Sequence, residues 1–212
     1  MKLMICALLA SAIFPKLIYA QEDQAPSNVK IYVGVDAGYE SFDASIDYDD
    51  GTYNVSADGL SGDGFTGGIF AGAHLGFGEA FFATEGFVRL SKASASFSAS
   101  DGVDSLTARI SANESYGAAA KLGYRLSRSS GVYGRVGWVN TRFESFLDVG
   151  GDRYSADATE DAIEYGVGLE SMIARSASLR FEYLRADYGE AGLGEGVEVD
   201  SNGFRAGISY RF

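Results

Sequence analysis

Three groups of residues in this sequence are of types that do chemistry. His74, the only histidine, stands in "AGAHLGF". An imidazole acts as a general base when a nucleophile lies within hydrogen-bond reach and a third group orients the ring. No serine neighbours His74 in that stretch, so it reads as an interior structural histidine paired to a carboxylate. The second group is "DYDDGTYNVSADGLSGDG" (Asp47–Gly64). Asp47 and Asp49 match the first and third positions of a helix-loop-helix calcium loop. Gly51 comes one residue early, however, and Asp58 stands where the twelfth position needs glutamate. This segment reads as a solvated acidic connection with Asp-Gly turns, and no metal or other cofactor is expected. The third group is a set of fixed charges: Glu85, Arg89, Lys121, Arg135, Glu164, Glu170, Arg180, Glu182 and Arg205. They recur at alternate positions of otherwise apolar stretches, which places charges of both signs on one side of a sheet.

The elements that carry these charges share one pattern. In the last stretch, "NGFRAGISYRF" (Asn202–Phe212), Phe204, Ala206, Ile208, Tyr210 and Phe212 alternate with Gly203, Arg205, Gly207, Ser209 and Arg211. The same period of two recurs at 29–41, 65–77, 80–91, 116–126, 131–143, 162–172 and 178–188, which gives eight strands. The connections alternate as well. Short turns fall near "GFGEA", "SRSSG" and "ARSA", and long connections fall at 42–64, 98–115, 147–161 and 189–201. That rhythm predicts an all-β, eight-stranded antiparallel up-and-down barrel with long loops at one rim. An even strand number puts both ends of the barrel segment at the short-turn rim.

Composition narrows the class further. The chain has 212 residues with 28 Gly and 2 Pro, a mix that favours strands and tight turns. A net charge of −12 argues against a nucleic-acid partner, which needs a basic patch. Residues 1–20 read as a secretory signal: Lys2, the apolar run "LMICALLASAIF" (Leu3–Phe14), and a small residue at Ala20. Residues 21–28 form a short periplasmic segment and 29–212 the barrel. The single cysteine, Cys6, falls in the signal, so no disulfide framework is expected in the exported chain. Beyond the signal no stretch is long and apolar enough for a spanning helix, but a spanning strand needs only about ten residues.

Period two alone does not say which face points inward. Three observations favour a barrel with its apolar face outward. The mid-strand charges alternate with glycines, which suits a narrow interior shared by small and large side chains better than a solvated surface. Aromatics cluster near the ends of the apolar faces: Tyr39, Phe65, Phe77, Phe82, Tyr116, Tyr124, Tyr210 and Phe212. Aromatics belong at the level where lipid meets water. The chain is also exported. The interior charges are then expected to form a ladder of ion pairs: Glu85 and Arg89 share one face of a strand, and Glu170, Arg180 and Glu182 lie on neighbouring strands.

With "GISYRF" at the end, "VYGRVGW" in the fifth strand, eight spans and a signal segment, the chain resembles the small eight-stranded bacterial outer-membrane β-barrel family. These are the opacity-protein or outer-membrane-protein-A-type porin-like barrels. The resemblance covers Val29–Phe212. It implies an outer-membrane location, contact with outer-membrane lipid and lipopolysaccharide, and delivery to the barrel-assembly machinery through Tyr210 and Phe212 of the closing strand. The expected role is a filled, monomeric, non-enzymatic barrel whose acidic loops meet host or surface ligands. A narrow channel for small solutes is the alternative reading, and a lipid-modifying enzyme resting on His74 a third.

Overall fold

A computed structural model of the chain describes residues 29–49, 54–100, 105–149, 152–190 and 197–212. The segments read as a signal and a periplasmic lead, 1–20 and 21–28, lie outside the described residues. The strands are β1 (Val29–Asp49), β2 (Asn54–Phe77), β3 (Ala80–Ser91), β4 (Ser94–Ser100), β5 (Ser105–Arg125), β6 (Ser130–Val149), β7 (Asp152–Met172), β8 (Ala177–Glu190) and β9 (Val197–Arg211). They pair antiparallel in the order β1-β9-β8-β7-β6-β5-β3-β2, and β1 pairs again with β2 to close the wall. Closure leaves no strand edge unpaired at membrane depth, where no water would satisfy it.

β3 and β4 form one stave of this eight-stave barrel. The stave breaks at Lys92 and Ala93. There the Lys92 N–H donates to the Phe65 carbonyl at 2.9 Å and the Ala93 N–H donates to Ser91 Oγ at 3.1 Å. Gly64 makes room for the break, since a Cβ at that position would come within 2.5 Å of the Ala93 backbone.

The short turns fall where the sequence places them, at 78–79, 126–129 and 173–176. Gly78 takes a φ of 64°, which a two-residue hairpin turn needs and which a side chain would resist. At the same rim the Phe212 N–H donates to the Ile31 carbonyl at 2.9 Å.

The opposite rim differs from expectation. The segments read as long loops are mostly strand. β1 and β2 stay paired to Asp49↔Asn54, β5 and β6 to Leu106↔Val149, and β8 and β9 to Glu190↔Glu198. Apolar alternation ends toward this rim, but the ladder continues, because its hydrogen bonds join main-chain groups whatever the side chains. Above the lipid the wall divides. β2 pairs with the β3–β4 stave no further than Asp63↔Ser94, and β7 pairs with β8 no further than Ile163↔Asp187. Two four-stranded sheets continue beyond these points, β4-β5-β6-β7 and β8-β9-β1-β2.

Within the spanning region the faces are inverted relative to a soluble barrel. Phe65, Leu122 and Phe204 are 75%, 69% and 70% exposed, while Arg89 and Glu182 are each 2% exposed. Aromatic pairs ring the outer wall. Tyr39–Phe65, Tyr116–Trp138 and Tyr183–Phe204 lie toward the projecting sheets, and Tyr210–Phe212 toward the turns. Tyrosine hydroxyls of the outer wall reach polar partners: Tyr39 to Asp63, Tyr124 to Glu79 and Tyr183 to Asn202. A ring in lipid with its hydroxyl in a polar layer suits a membrane boundary.

Candidate functional site

The lumen is built from a repeated pairing of a large inward side chain with a glycine on the neighbouring strand. Tyr32 lies opposite Gly72, Phe70 opposite Gly34, Phe81 opposite Gly123, Phe87 opposite Gly117 and Tyr133 opposite Gly168. Arg89 lies opposite Gly68, Arg180 opposite Gly207 and Arg205 opposite Gly38. Several of these side chains would overlap a Cβ placed at the facing glycine. An eight-strand wall encloses little more than its own side chains, so each long residue needs this recess.

Across that packed interior the charges meet in two linked groups. Nearer the turns, Glu85 receives Lys121 Nζ at 2.8 Å and Arg180 Nη1 at 2.5 Å. Lys121 also lies 3.3 Å from Glu182, and Arg180 Nη2 reaches Asp36 at 3.0 Å. Nearer the projecting sheets, Glu164 receives Arg89 at 2.6 Å and also binds Arg135, while Arg205 pairs with Glu40 at 3.2 Å. Arg135 to Glu85 at 3.9 Å joins the two groups, and Arg205 to Glu164 at 4.0 Å ties the Arg205–Glu40 pair into the second. Aromatic faces complete the contacts, with Arg180 3.4 Å from the Phe70 ring centre and Arg89 3.7 Å from that of Phe87. Tyr32 donates to Glu85 at 3.2 Å and Tyr133 to Glu182 at 2.7 Å.

Eight of the nine interior charges named from sequence are buried here: Glu85, Arg89, Lys121, Arg135, Glu164, Arg180, Glu182 and Arg205. Glu170 is not part of the network. It sits half-buried at the turn rim, bound to Arg211 and to Ser178 Oγ. The pairing matches the expected ladder only in part: Arg180 Nε lies 3.6 Å from Glu182 on its own strand, and Lys121–Glu85, Arg135–Glu164 and Arg205–Glu40 join neighbouring strands. Glu85 and Arg89 do not pair with each other; each reaches across the lumen. Residues four apart on one strand are separated by about 13 Å, whereas facing walls of a narrow barrel are within side-chain reach. Asp36 and Glu40 are members that the sequence set omitted, although their parity on β1 placed them inward.

His74 is buried, but no carboxylate holds it. Its ring stacks on Phe81 with centres 4.9 Å apart, and it makes no hydrogen bond among the described residues. Phe42, Phe143 and Tyr188 pack edge-to-face above the charges, with the Tyr188 and Thr141 hydroxyls 3.0 Å apart. Tyr210 and Phe212 point outward at the turn rim, 52% and 74% exposed.

A closed antiparallel wall with an apolar belt, aromatic girdles and an ionised interior defines a β-barrel that spans a membrane with its strands. The chain belongs to the family described as outer membrane protein beta-barrel domain, whose model matches residues 5–212, and it is an outer-membrane protein. It is 26% identical, over 238 aligned positions, to the 31 kDa outer-membrane immunogenic protein of Brucella melitensis, covering 98% of this chain and 97% of that one. It is 31% identical over 94 positions to outer membrane protein A of Klebsiella aerogenes, covering 44% of this chain and 26% of that one. Among solved structures, Neisserial surface protein A superposes with a TM-score of 0.48 at 19% identity, over 89% of this chain and 100% of that one.

Proposed function

We propose that this protein is a non-catalytic, sealed barrel that holds projecting hairpins at the cell surface, where they engage host or surface ligands. The observation that carries this reading is the filled lumen. Two aromatic layers, one around His74, Phe81 and Tyr133 and one around Phe42, Phe143 and Tyr188, bracket a network of cross-lumen ion pairs. A solute would have to separate several buried pairs to pass, and each separation leaves an unpaired buried charge. The seated position of His74 speaks against acid–base work on lipid, because no hydroxyl or carboxylate is within its hydrogen-bond reach among the described residues. The two four-stranded projections supply the accessible surface, and the segments that build them are rich in Asp and Ser.

In this reading residues 1–20 export the chain and are removed. The barrel stands as a monomer in lipid and lipopolysaccharide, and Tyr210 and Phe212 present the closing strand to the assembly machinery. The test is complementation of a deletion strain. A barrel with its four hairpins trimmed at the lipid boundary should reach the outer membrane, yet fail to restore surface attachment. Full restoration by the trimmed barrel overturns the reading.

A further inference from the structure

The turn-side mouth of the lumen holds a blind cavity of about 210 Å³ that the filled-barrel account does not use. Its floor is His74 stacked on Phe81. Its wall carries cations from three directions: Lys30 on β1, directly opposite His74 in the ladder, Arg125 at the end of β5, and Arg211 at the end of β9. Arg128, in the turn after β5, lies at the lip. We propose that this mouth is a binding site for a small phosphate-type oxyanion on the periplasmic side of the membrane.

The charge balance points this way. The whole chain carries −12, so a concentration of positive charge here is a local departure. The one carboxylate lining the cavity, Glu170, is already engaged by Arg211 and by Ser178 Oγ at 2.5 Å. Lys30, Arg125 and Arg128 make no ion pair among the described residues. Their charges are therefore available to a ligand at the exposed rim of the recess.

The geometry is that of a formed recess. Gly76 faces the mouth, and a Cβ there would lie 2.9 Å from Arg125 Nη2, so its absence lets the guanidinium fold over the opening. Arg125 otherwise donates only a long 3.3 Å bond to the Gly78 carbonyl. Arg211 lines the mouth with its guanidinium already engaged by Glu170, so the uncommitted charges are those of Lys30, Arg125 and Arg128. Guanidinium groups match the oxygens of a phosphate, and the imidazole of His74 adds a further polar edge. The volume falls below the range of drug-sized clefts but exceeds the share of several waters, which suits one small anion with part of its hydration.

The anion has two natural sources, free phosphate or its esters in the periplasm and the phosphate headgroup of a lipid leaning over the rim. The experiment separates them. The full barrel is folded in zwitterionic micelles and its retention of inorganic phosphate measured by equilibrium dialysis. It is then released from bilayers containing phosphatidylglycerol or phosphatidylcholine alone into a mass spectrometer. Wild type and the control Arg142→Ala, altered at the opposite rim, should retain the anion. The double variant Lys30→Gln with Arg125→Gln should weaken retention at least about tenfold. Retention of phosphatidylglycerol but not free phosphate, lost in the double variant, also upholds the site and assigns it to the lipid. The inference fails if neither is retained, or if the double variant, shown to be folded by its heat-shifted gel migration, retains either as wild type does.

Discussion

Glu164→Ala is the sharpest perturbation of the interior. Glu164 accepts from Arg89 Nη1 at 2.6 Å and Arg89 Nη2 at 3.3 Å, and it also binds Arg135. Truncation strands these cations unequally. Arg135 keeps a weak contact with Glu85 at 3.9 Å, and Arg205 keeps Glu40 at 3.2 Å. Arg89 keeps no carboxylate among the described residues; it retains only the Phe87 ring, and it is 2% exposed. Removing one partner of a buried pair costs about 3–5 kcal/mol. Arg89 alone accounts for that range, which corresponds to roughly a thousandfold in the folding equilibrium. The assay is urea-driven unfolding in phospholipid vesicles, read from the unheated gel band that shifts on boiling. Because the pair is sealed from solvent, the loss should change little with added salt. Removing Arg89 as well should give back part of the loss, with a coupling of about 0.5–3 kcal/mol. A Glu164→Ala barrel within about 0.5 kcal/mol of wild type would show that the cross-lumen pairs do not carry the interior.

Three other outcomes follow from the same packing. Gly72→Ala places a methyl against the Thr84 carbonyl and 2.6 Å from the Tyr32 ring and should destabilise the barrel by about 1–3 kcal/mol in the same vesicle titration. Val136→Arg, on the lipid face between the Val132 and Trp138 levels, should cost about 2–4 kcal/mol in vesicles. Phe212→Ala should leave the folded barrel in vesicles close to wild-type stability while lowering the amount assembled in cells, measured as the heat-shifted fraction in outer-membrane preparations.

The wall of the barrel was legible in the sequence because period two and the short turns are local signals. Val29–Ser41, Phe65–Phe77 and the closing Asn202–Phe212 each announce a strand, and Gly78 marks its turn by its type. The inverted faces were also legible, since Arg205 sharing a face with Gly203 and Gly207, or Lys121 with Gly123, fits an interior and not a surface. Two things were not legible. Strand continuation into the outer hairpins carries no apolar alternation, so Ser- and Asp-rich segments such as Asp43–Asp49 read as loop. The partners of Arg89 and Arg180 depend on which strands face across the lumen, a consequence of closure and register that no single stretch encodes. Glu85 next to Arg89 on one strand suggested a pair, whereas closure gives Glu85 to Lys121 and Arg180 and gives Arg89 to Glu164. The same limit applies to His74, whose neighbours Lys30, Arg125 and Arg211 come from three other strands.

The claim on which the functional account rests is that nothing passes through the lumen. Planar-bilayer recording of the purified, folded barrel tests it directly. The filled interior predicts a bilayer that stays at its baseline conductance across the voltage range after insertion, with insertion confirmed by the heat-shifted band. Steady unitary current steps that scale with the amount of folded protein would contradict the account and make the barrel a channel.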